Sequence, residues 1–438
     1  MNSPVYHIEK LVHGGFGLSY DKDGMVVLIE GAIPGEEVRA KIRSQSKNLA
    51  QAVVTEVVTP SPGRIQPPCP YYQKCGGCDF QHISYPYQLQ VKQSIVKDLL
   101  VRSGHPDLQK AAGTLLKVPL ASPQQFHYRQ RIRLQVDENQ VLGFHKRRSH
   151  HCIAIDNCLL ARDEINDCLQ KLVPQRVFTR LLSQTEALEI LYDPKSSNIH
   201  ILIHCKRKPR PADKQHAQEL VQSISEIQNI FFLGDGFGAT GRDSLSVTLL
   251  PIPGHSSRPL SLSWETGGFC QVNLKQNINL IHTVLDFCRI TEKETVLDLF
   301  CGMGNFSIPL AEQAGSVLGI EGQGSAIRSG RKNSTDAGQN NTEFLKRPIH
   351  QACETLVQEN RTFDCVVIDP PRQGVPGLAG ELASLCSKRM VYVSCDPATL
   401  CRDLADLLGQ GFFLKKLQLI DMFPQTHHIE TIALLEKR

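Results

Sequence analysis

The chain of 438 residues has no apolar run that approaches the ~20 residues of a membrane-spanning helix. Its first ten residues, MNSPVYHIEK, also lack the apolar stretch of a secretory signal peptide. Apolar residues (41%) and charged residues (21%) occur at the levels usual for globular proteins. We therefore expect a cytoplasmic protein with no membrane partner, a monomer built from about two to four domains.

Cysteine, by contrast, is abundant, with fifteen residues. Because cytoplasmic thiols stay reduced, a cysteine cluster there more often binds a metal or catalyses a reaction than forms disulfides. The strongest cluster is Cys69-x5-Cys75-x2-Cys78. His82 would complete a zinc site, Cys158 would complete a four-cysteine iron–sulfur site, and Cys152 competes as a fourth ligand. The spacing favours a metal without choosing between zinc and iron.

Charge is distributed unevenly along the chain. The net charge is only +4, but residues 92–210 carry 20 Lys and Arg against 11 Asp and Glu, so the remainder is acidic. The basic excess includes the runs 127–133, 146–148 and 206–210. A basic surface with aromatic residues interleaved is typical of nucleic-acid-binding proteins. On charge alone, solvated loops explain the pattern equally well.

Strand, helix and turn patterns predict a multidomain protein. Residues 1–60 contain five short strands separated by Gly, Asp and Pro turns, which is typical of a small OB-type β-barrel. After a proline-rich linker, residues 61–264 mix strands and helices and predict a central α+β domain. Residues 265–438 alternate strands and helices, which predicts an α/β doubly wound, Rossmann-like domain.

One motif of the central part is rejected. Gly236-Phe-Gly238-Ala-Thr-Gly241 matches the dinucleotide-binding fingerprint. That fingerprint needs a following helix, whose N-terminus binds the phosphates. Residues 243–250 instead predict a strand, so we expect no dinucleotide site there.

The C-terminal part carries a nucleoside-binding pattern. Asp298 lies in a predicted strand, and the turn 301–305 after it contains two glycines that let the backbone approach a ligand. A third glycine is missing, which favours a nucleoside such as S-adenosylmethionine over a dinucleotide pyrophosphate. Glu321 ends the next strand and can accept hydrogen bonds from ribose hydroxyls. Asp369 ends a third strand, where ligand and substrate could meet.

Cys395 follows a further predicted strand and precedes a helix that begins at Asp396-Pro397. A helix N-terminus lowers a thiol pKa from about 8.5 toward 3.5–7.5, so we expect a nucleophilic thiolate. An ordinary half-buried cysteine is the alternative. Residues 412–421 and 429–434 predict a terminal antiparallel pair of strands, and Glu430 lies just after the loop between them.

Together these motifs resemble the RNA uracil-5-methyltransferases, most closely the RumA (RlmD) type that acts on 23S ribosomal RNA. The resemblance covers essentially the whole chain in order, and residues 1–60 resemble a TRAM domain, an RNA-binding barrel. The matching motifs are His13-Gly-Gly-Phe-Gly17, Glu30-Gly-Ala-Ile-Pro-Gly-Glu36, the cysteines Cys69, Cys75, Cys78 and Cys158, Phe269-Cys-Gln271-Val-Asn273, Asp298-Leu-Phe-Cys-Gly-Met-Gly-Asn305-Phe306, Asp369-Pro-Pro-Arg372, Ser394-Cys395-Asp-Pro-Ala-Thr399 and His428-Ile-Glu430-Thr431.

The resemblance implies S-adenosylmethionine-dependent methylation of carbon-5 of a uridine. It implies that Cys395 is the nucleophile that adds to carbon-6 and that Glu430 removes the carbon-5 proton. The four cysteines would hold a [4Fe–4S] cluster, which makes zinc the minority interpretation. The implied S-adenosylmethionine contacts are Gln271, Phe300, Asn305, Glu321 and Asp369.

The chain departs from the family pattern in two places. It has Lys-Arg-Pro-Ile at 346–349, where members usually place Asn or Asp near the adenine. It has Asp396 where Asn is common, and a negative charge there would oppose thiolate formation.

RNA contacts are expected from aromatic and basic residues of the central part. A buried uracil must be flipped out of its stack to reach the site. The candidates for stacking and phosphate contacts are Phe126, Tyr128, Arg129, Arg131 and Arg133. Two other functions stay open, namely the same chemistry on a transfer RNA and a non-catalytic RNA-binding or assembly factor.

Overall fold

The computed structural model describes residues 4–234, 244–248 and 259–437. Its N-terminal sheet has the strand order β1-β5-β6-β4-β3-β2. β1 and β2 lie at opposite edges although only two residues separate them, so one extended segment supplies both edges of the sheet. Alternate side chains such as Val27 and Ile29 are fully buried inside it. The strands are β1 (Val5–His7), β2 (Lys10–Val12), β3 (Phe16–Tyr20), β4 (Val26–Glu30), β5 (Glu37–Gln45) and β6 (Leu49–Thr59).

Two helices, α1 (Tyr85–Arg102) and α2 (Pro106–Thr114), follow the cysteine-rich segment. The apolar side chains Val91 and Ile95 of α1 pack in one hydrophobic core with Leu404 and Leu417, far along the chain. The two helices therefore stabilise the C-terminal sheet. The domain ranges 1–60, 61–264 and 265–438 stay predictions.

A second six-stranded sheet has the order β12-β11-β10-β7-β8-β9 and is covered by helices in a core of its own. A hairpin of β13 and β14 follows it. The elements are β7 (Arg131–Val136), β8 (Leu142–His145), β9 (Cys152–Ala154), α3 (Asp163–Leu172), α4 (Arg176–Leu182), β10 (Thr185–Asp193), β11 (Asn198–Cys205), α5 (Pro211–Ser223), β12 (Ile227–Leu233), β13 (Ser244–Thr248) and β14 (Ser261–Glu265). The rejected fingerprint at 236–241 lies outside the described residues, and the strand expected after it is present as β13.

The C-terminal sheet has seven strands in the order β17-β16-β15-β18-β19-β21-β20. The first five strands are parallel, while β21 is antiparallel to both of its neighbours. The consecutive residues Val296 and Leu297 of β15 are both buried, in different hydrophobic cores, because helices cover both faces of the sheet. The elements are α6 (Leu274–Cys288), β15 (Thr295–Leu299), α7 (Ser307–Ala311), β16 (Ser316–Glu321), α8 (Gly324–Asp336), β17 (Thr342–Lys346), α9 (Ile349–Gln358), β18 (Phe363–Ile368), α10 (Ala379–Leu385), β19 (Cys386–Ser394), α11 (Pro397–Gly409), β20 (Phe412–Ile420) and β21 (Glu430–Lys437).

The expected doubly wound α/β part is therefore present, with its switch point at β15, where the strand order runs outward in both directions. Within the described residues, no helix has both the length and the apolar character that crossing a membrane requires.

A buried ion pair fixes α1 to the segment after β20. The ammonium Nζ of Lys92 lies 2.7 Å from Oδ1 of Asp421, and neither side chain is exposed to solvent. The same ammonium donates to the carbonyl of Phe423 at 3.1 Å. A charge left without its partner in such a place is strongly destabilising, so both residues are needed together.

We predict that Lys92→Met lowers the free energy of unfolding by about 3–5 kcal/mol, because Asp421 would keep a buried and uncompensated charge. Urea titration followed by circular dichroism measures this loss. Lys332→Met, which breaks the exposed pair of Lys332 with Asp336, is the matched control and should have little effect. Equal stability of the Lys92→Met and wild-type proteins would contradict the role of the buried pair.

Candidate active site

Parallel strands of the C-terminal sheet end at one edge, and a predicted site residue lies at the end of four of them. Phe300 follows β15, Glu321 ends β16, Asp369 follows β18 and Cys395 follows β19. They line one cavity of about 670 Å³ at the switch point of the sheet. The other predicted residues of the site, Gln271, Asn305 and Glu430, line the same cavity.

The antiparallel strand β21 places Glu430 beside Cys395. Ser394 of β19 pairs with Thr431 of β21, so the next pair in this register is Cys395 and Glu430. Directly opposite residues of an antiparallel ladder have Cα atoms about 4.5–5.5 Å apart and side chains on the same face. The thiol and the carboxyl group thus share the cavity that also contains Asp369.

The turn after β15 has a backbone that few residues can adopt. Phe300 has a φ of 62° and Gly304 a φ of 90°. A Cβ atom on Gly304 would come within 2.9 Å of Ile308, so glycine is required there. The tight turn brings its backbone to the cavity wall, as the two-glycine pattern predicts.

Asn305 is held by a partner that the motifs did not reveal. Its Oδ1 accepts a hydrogen bond of 2.8 Å from Nδ2 of Asn277, and its Nδ2 donates one of 3.1 Å to Oδ1 of Asn277. Asn277 lies on α6, outside every motif, so no sequence pattern pointed to it. The reciprocal pair orients the Asn305 amide in the cavity wall.

Burial controls the ionisation of the acids around the cavity. It raises the pKa of Asp369 to about 7. It also raises the pKa of Glu430 well above its usual range, and the charge of Asp369 adds to this effect. Asp298, beneath the turn, has a pKa of about 7, again mainly from burial, although the Ser307 hydroxyl donates to it. The site can therefore hold protons near neutral pH.

The expected low pKa of the Cys395 thiol is wrong. Burial first, then the charges of Glu430 and Asp369, raise the pKa of this thiol to about 11, and Arg372 offsets them only in part. The helix N-terminus does not offset these effects, and Asp396 caps it. Oδ1 of Asp396 accepts hydrogen bonds from the N–H groups of Ala398 (3.0 Å) and Thr399 (2.9 Å).

Four predicted ligand cysteines line a second cavity, of about 290 Å³, next to the central sheet; they are Cys69, Cys75, Cys78 and Cys158. Burial raises the pKa of Cys78 to about 12, and the neighbouring thiols of Cys158 and Cys75 contribute. Within the described parts of the chain, no three His, Cys, Asp or Glu side chains converge closely enough for a single metal ion.

The competing fourth ligands point elsewhere. His82 and Cys152 line a different cavity, between the N-terminal sheet and the segment 72–82. Nδ1 of His82 lies 2.5 Å from the hydroxyl of Tyr72. The arrangement therefore brings Cys158, and neither of these two residues, to the three clustered cysteines.

The basic strand of the central sheet only partly fits the expected RNA contacts. Tyr128 is buried and donates its hydroxyl to the carbonyl of Pro424 at 3.1 Å, so the prediction that it stacks on a base is wrong. Arg133 is exposed, as a phosphate contact requires. Arg129 lines both the four-cysteine cavity and the active-site cavity.

Two further cavity residues lie in or next to the motifs without a predicted role. Phe269 is 68% exposed at the cavity, which is unusual for an aromatic side chain. His428, two residues before Glu430, also lines it. Burial mainly lowers the pKa of His428 to about 4, so its imidazole is neutral at neutral pH.

Comparisons with known proteins identify the family of the chain. Residues 84–438 match the family model described as tRNA (Uracil-5-)-methyltransferase. A curated protein of Shewanella sp. (strain ANA-3), named 23S rRNA (uracil(1939)-C(5))-methyltransferase RlmD, is 35% identical over 98% of this chain and 95% of its own length. A protein of the same name from Vibrio parahaemolyticus is 30% identical with the same coverage.

The fold also has a solved counterpart. The crystal structure of Pyrococcus abyssi tRNA (uracil-54, C5)-methyltransferase in complex with S-adenosyl-L-homocysteine has a TM-score of 0.73 and 23% identity. The match covers 99% of this chain and 100% of that chain, which shows a shared fold.

The doubly wound sheet and the matching family model place the chain in the class of RNA-modifying methyltransferases. The chain belongs to the RNA uracil-5-methyltransferase family, so the resemblance in its motifs and the predicted enzyme class are confirmed.

Because the pKa of the Cys395 thiol is about 11, only a small fraction is thiolate at neutral pH in the free protein. We predict that alkylation of Cys395 by iodoacetamide, followed by mass spectrometry, accelerates about tenfold per pH unit from pH 7 to 10. Glu430→Gln removes a charge that raises this pKa, so it should speed alkylation at pH 9.

Asp396→Asn is the matched control, because asparagine also caps helices and Asp396 is not among the main groups that raise the thiol pKa, so the rate should change far less than in Glu430→Gln. A rate of alkylation that is already constant above pH 7 would contradict the raised pKa.

Proposed function

We propose that the protein methylates carbon-5 of a uridine in 23S ribosomal RNA, with S-adenosylmethionine as methyl donor, through a covalent adduct with Cys395. The observation that carries the proposal is the pairing of Cys395 with Glu430 in the cavity that contains all five expected contacts of the methyl donor. The names of the curated relatives support the choice of ribosomal RNA.

The chemistry explains why a thiol and a carboxylate are needed together. Carbon-5 of uracil is a weak nucleophile. The Cys395 thiol gives up its proton to solvent, the resulting thiolate adds to carbon-6, and the electrons of the carbon-5–carbon-6 double bond move onto the carbon-4 oxygen as an enolate. Carbon-5 of this enolate is nucleophilic. When bound, S-adenosylmethionine supplies an electrophilic methyl group.

Glu430 completes the reaction. Its carboxylate takes the proton from carbon-5, the double bond re-forms, and the bond between Cys395 and carbon-6 breaks to release the thiolate. A carboxyl group with a raised pKa is a stronger base than an exposed one. The Cys395 thiol and the carboxyl groups of Glu430 and Asp369 share one buried cavity, so they cannot all carry a negative charge at once. The negative charge moves to the uracil oxygen as the adduct forms.

The methyl donor would lie along the turn after β15. Glu321 would accept hydrogen bonds from its ribose hydroxyls, and Asn305, held by Asn277, would present an oriented amide. Phe300, Gln271 and Asp369 would form the remaining wall, on the side nearest Cys395.

The RNA must present a flipped uridine to this cavity. The exposed Phe269 is suited to base stacking at this cavity, and the exposed Arg133 of β7 is suited to a phosphate contact. The N-terminal sheet, whose two edges come from one segment, supports an OB-type, TRAM-like barrel that binds RNA.

We further propose that Cys69, Cys75, Cys78 and Cys158 hold a [4Fe–4S] cluster. A single zinc ion binds each sulfur at about 2.3 Å and so draws four thiols close together. These four thiols surround a cavity instead, which suits a group of several atoms. The same four residues are the set that the sequence resemblance implies.

Transfer RNA is the second candidate substrate, because the matching family model is described by that substrate. The test is methylation of a 23S ribosomal RNA fragment and of a transfer RNA transcript by purified protein, with the modified uridine mapped by mass spectrometry. We expect 5-methyluridine in the ribosomal RNA alone. Methylation of the transfer RNA alone would replace the proposed substrate.

We predict that Cys395→Ala abolishes methylation, because no adduct can form. Glu430→Gln should lower turnover by about 10²–10⁴-fold, the usual contribution of a general base, and accumulate a covalent protein–RNA adduct visible on a denaturing gel. Cys401→Ala, which removes another thiol of the same region, is the control and should leave the adduct unchanged. Turnover by Cys395→Ala would eliminate the mechanism.

We predict that protein purified without oxygen is brown and contains about four iron and four sulfide per chain, the composition of the proposed cluster. Cys158→Ser should lower the iron content, while Cys152→Ser should not, since Cys152 lines another cavity. A colourless protein with one zinc per chain would contradict the cluster.

A further inference from the structure

The loop between β20 and β21, residues 421–429, leads to Glu430. It is bound by the segment that carries the clustered cysteines. Asp79 directly follows Cys78, and the backbone N–H groups of Asp79 and Phe80 both donate to the carbonyl of Gln425 at 3.0 Å. Nδ1 of His427 lies 2.6 Å from Oδ2 of Asp79. The loop is thus bound through both backbone and side chains.

Helix α1 also binds Gln425 of this loop, through two hydrogen bonds. Nε2 of Gln88 donates to Oε1 of Gln425 at 2.9 Å, and the backbone N–H of Gln425 donates to Oε1 of Gln88 at 3.0 Å. Gln425 has a φ of 70°, a backbone conformation that residues other than glycine rarely adopt. Such a conformation persists only where the surroundings enforce it. The bonds to Gln425 therefore set the shape of the loop.

The Asp79 carboxylate also joins the loop to the rest of the molecule. Its Oδ1 lies 3.2 Å from Nη2 of Arg147, which also donates to the carbonyl of Cys78. Nη1 of Arg147 lies 2.6 Å from Oε1 of Glu30 in the N-terminal sheet. On the same side, a Cβ on Gly15 would meet His427 at 2.8 Å, so the N-terminal sheet packs directly on the loop.

The held loop determines where the base lies. His428 follows His427 and lines the active-site cavity, and Glu430 comes two residues later. Glu430 is the first residue of β21, so a displacement of the loop would tilt its side chain, whereas Cys395, between β19 and α11, would stay in place. A shift of about 1 Å in a catalytic group is enough for a large loss of rate.

We propose that Asp79 is a positioning residue for Glu430, and that the cysteine segment serves to hold the active-site loop in the shape that proton removal requires. A group bound by Cys78 would fix the backbone beside Asp79 and so stabilise this hold. The inference rests on the proposed function, because it assigns Asp79 to the step that Glu430 performs.

The test separates proton removal from adduct formation. Asp79→Ala should lower kcat about 10–100-fold, change KM for the RNA less than threefold, and accumulate the covalent protein–RNA adduct, because Cys395 still attacks while Glu430 is misplaced. Asp79→Asn keeps a neutral hydrogen-bonding group and should lose less. His427→Ala removes the partner of Asp79 on the loop. The double variant of Asp79→Ala and His427→Ala should be no slower than the slower of the two single variants.

Asp156→Ala is the matched control. Asp156 lies two residues before Cys158, and its Oδ1 accepts a hydrogen bond of 2.5 Å from Tyr71, so it is also an acid beside a candidate ligand. This variant should keep wild-type kcat and adduct level. If Asp79→Ala does not fold, His427→Ala alone decides the question by the same readouts.

Hydrogen–deuterium exchange gives a readout independent of turnover. Residues 421–430 should exchange faster in Asp79→Ala, and also after a chelator removes metal from the wild-type protein, while β15 and β16 should not change. The proposal is overturned if Asp79→Ala shows wild-type exchange in the loop, or if adduct formation falls together with turnover. If the wild-type protein itself neither forms an adduct nor methylates RNA, the proposed function fails instead.

Discussion

The pairing of β21 with β19 in opposite directions is the constraint on which the site depends. Parallel strands bring only their carboxyl ends to the functional edge of a sheet, so each contributes the residue after its last one. An antiparallel strand brings its first residue there. Glu430 begins β21 and Cys395 follows the end of β19, and their register makes them neighbours on one face. The proposed nucleophile and base are thereby brought together by the pairing of the two strands.

Electrostatics then determines how this pair can work. Burial and neighbouring acids raise the pKa of the Cys395 thiol, and they raise the pKa of Glu430 and Asp369 as well. Groups of this kind hold their protons in the free protein, so little of the thiol is ionised at neutral pH. In the proposed reaction, the negative charge would move onto the uracil ring when the thiolate adds. The reactivity of the thiol would then depend on the presence of the substrate.

The sequence predicted those site residues whose position follows from local pattern. Glu321, Asp369 and Cys395 each come at the end of an apolar run, and a run of that kind specifies a buried strand and its carboxyl end. The expected thiol pKa was wrong because burial and the charges of Glu430 and Asp369 raise it, and spacing along the chain does not reveal that these groups share one cavity. The prediction that Tyr128 stacks on a base was wrong because its hydroxyl bonds to the carbonyl of Pro424, which is 296 residues away in the chain.

The shape of the cysteine segment, residues 60–84, also depends on contacts with residues that are distant in the sequence. Residues 60–84 form neither helix nor strand, and so short a segment has little core of its own to fix its shape. Phe80 and Ile83 are buried in the core of the C-terminal sheet, whereas Gly76 donates to the carbonyl of His145 beside the central sheet. The segment therefore spans two cores, with the four-cysteine cavity at the central one. A group bound there would act as a crosslink that replaces the missing core. Contacts such as that of Asp79 with His427, 348 residues apart, then become rigid enough to shape a catalytic loop.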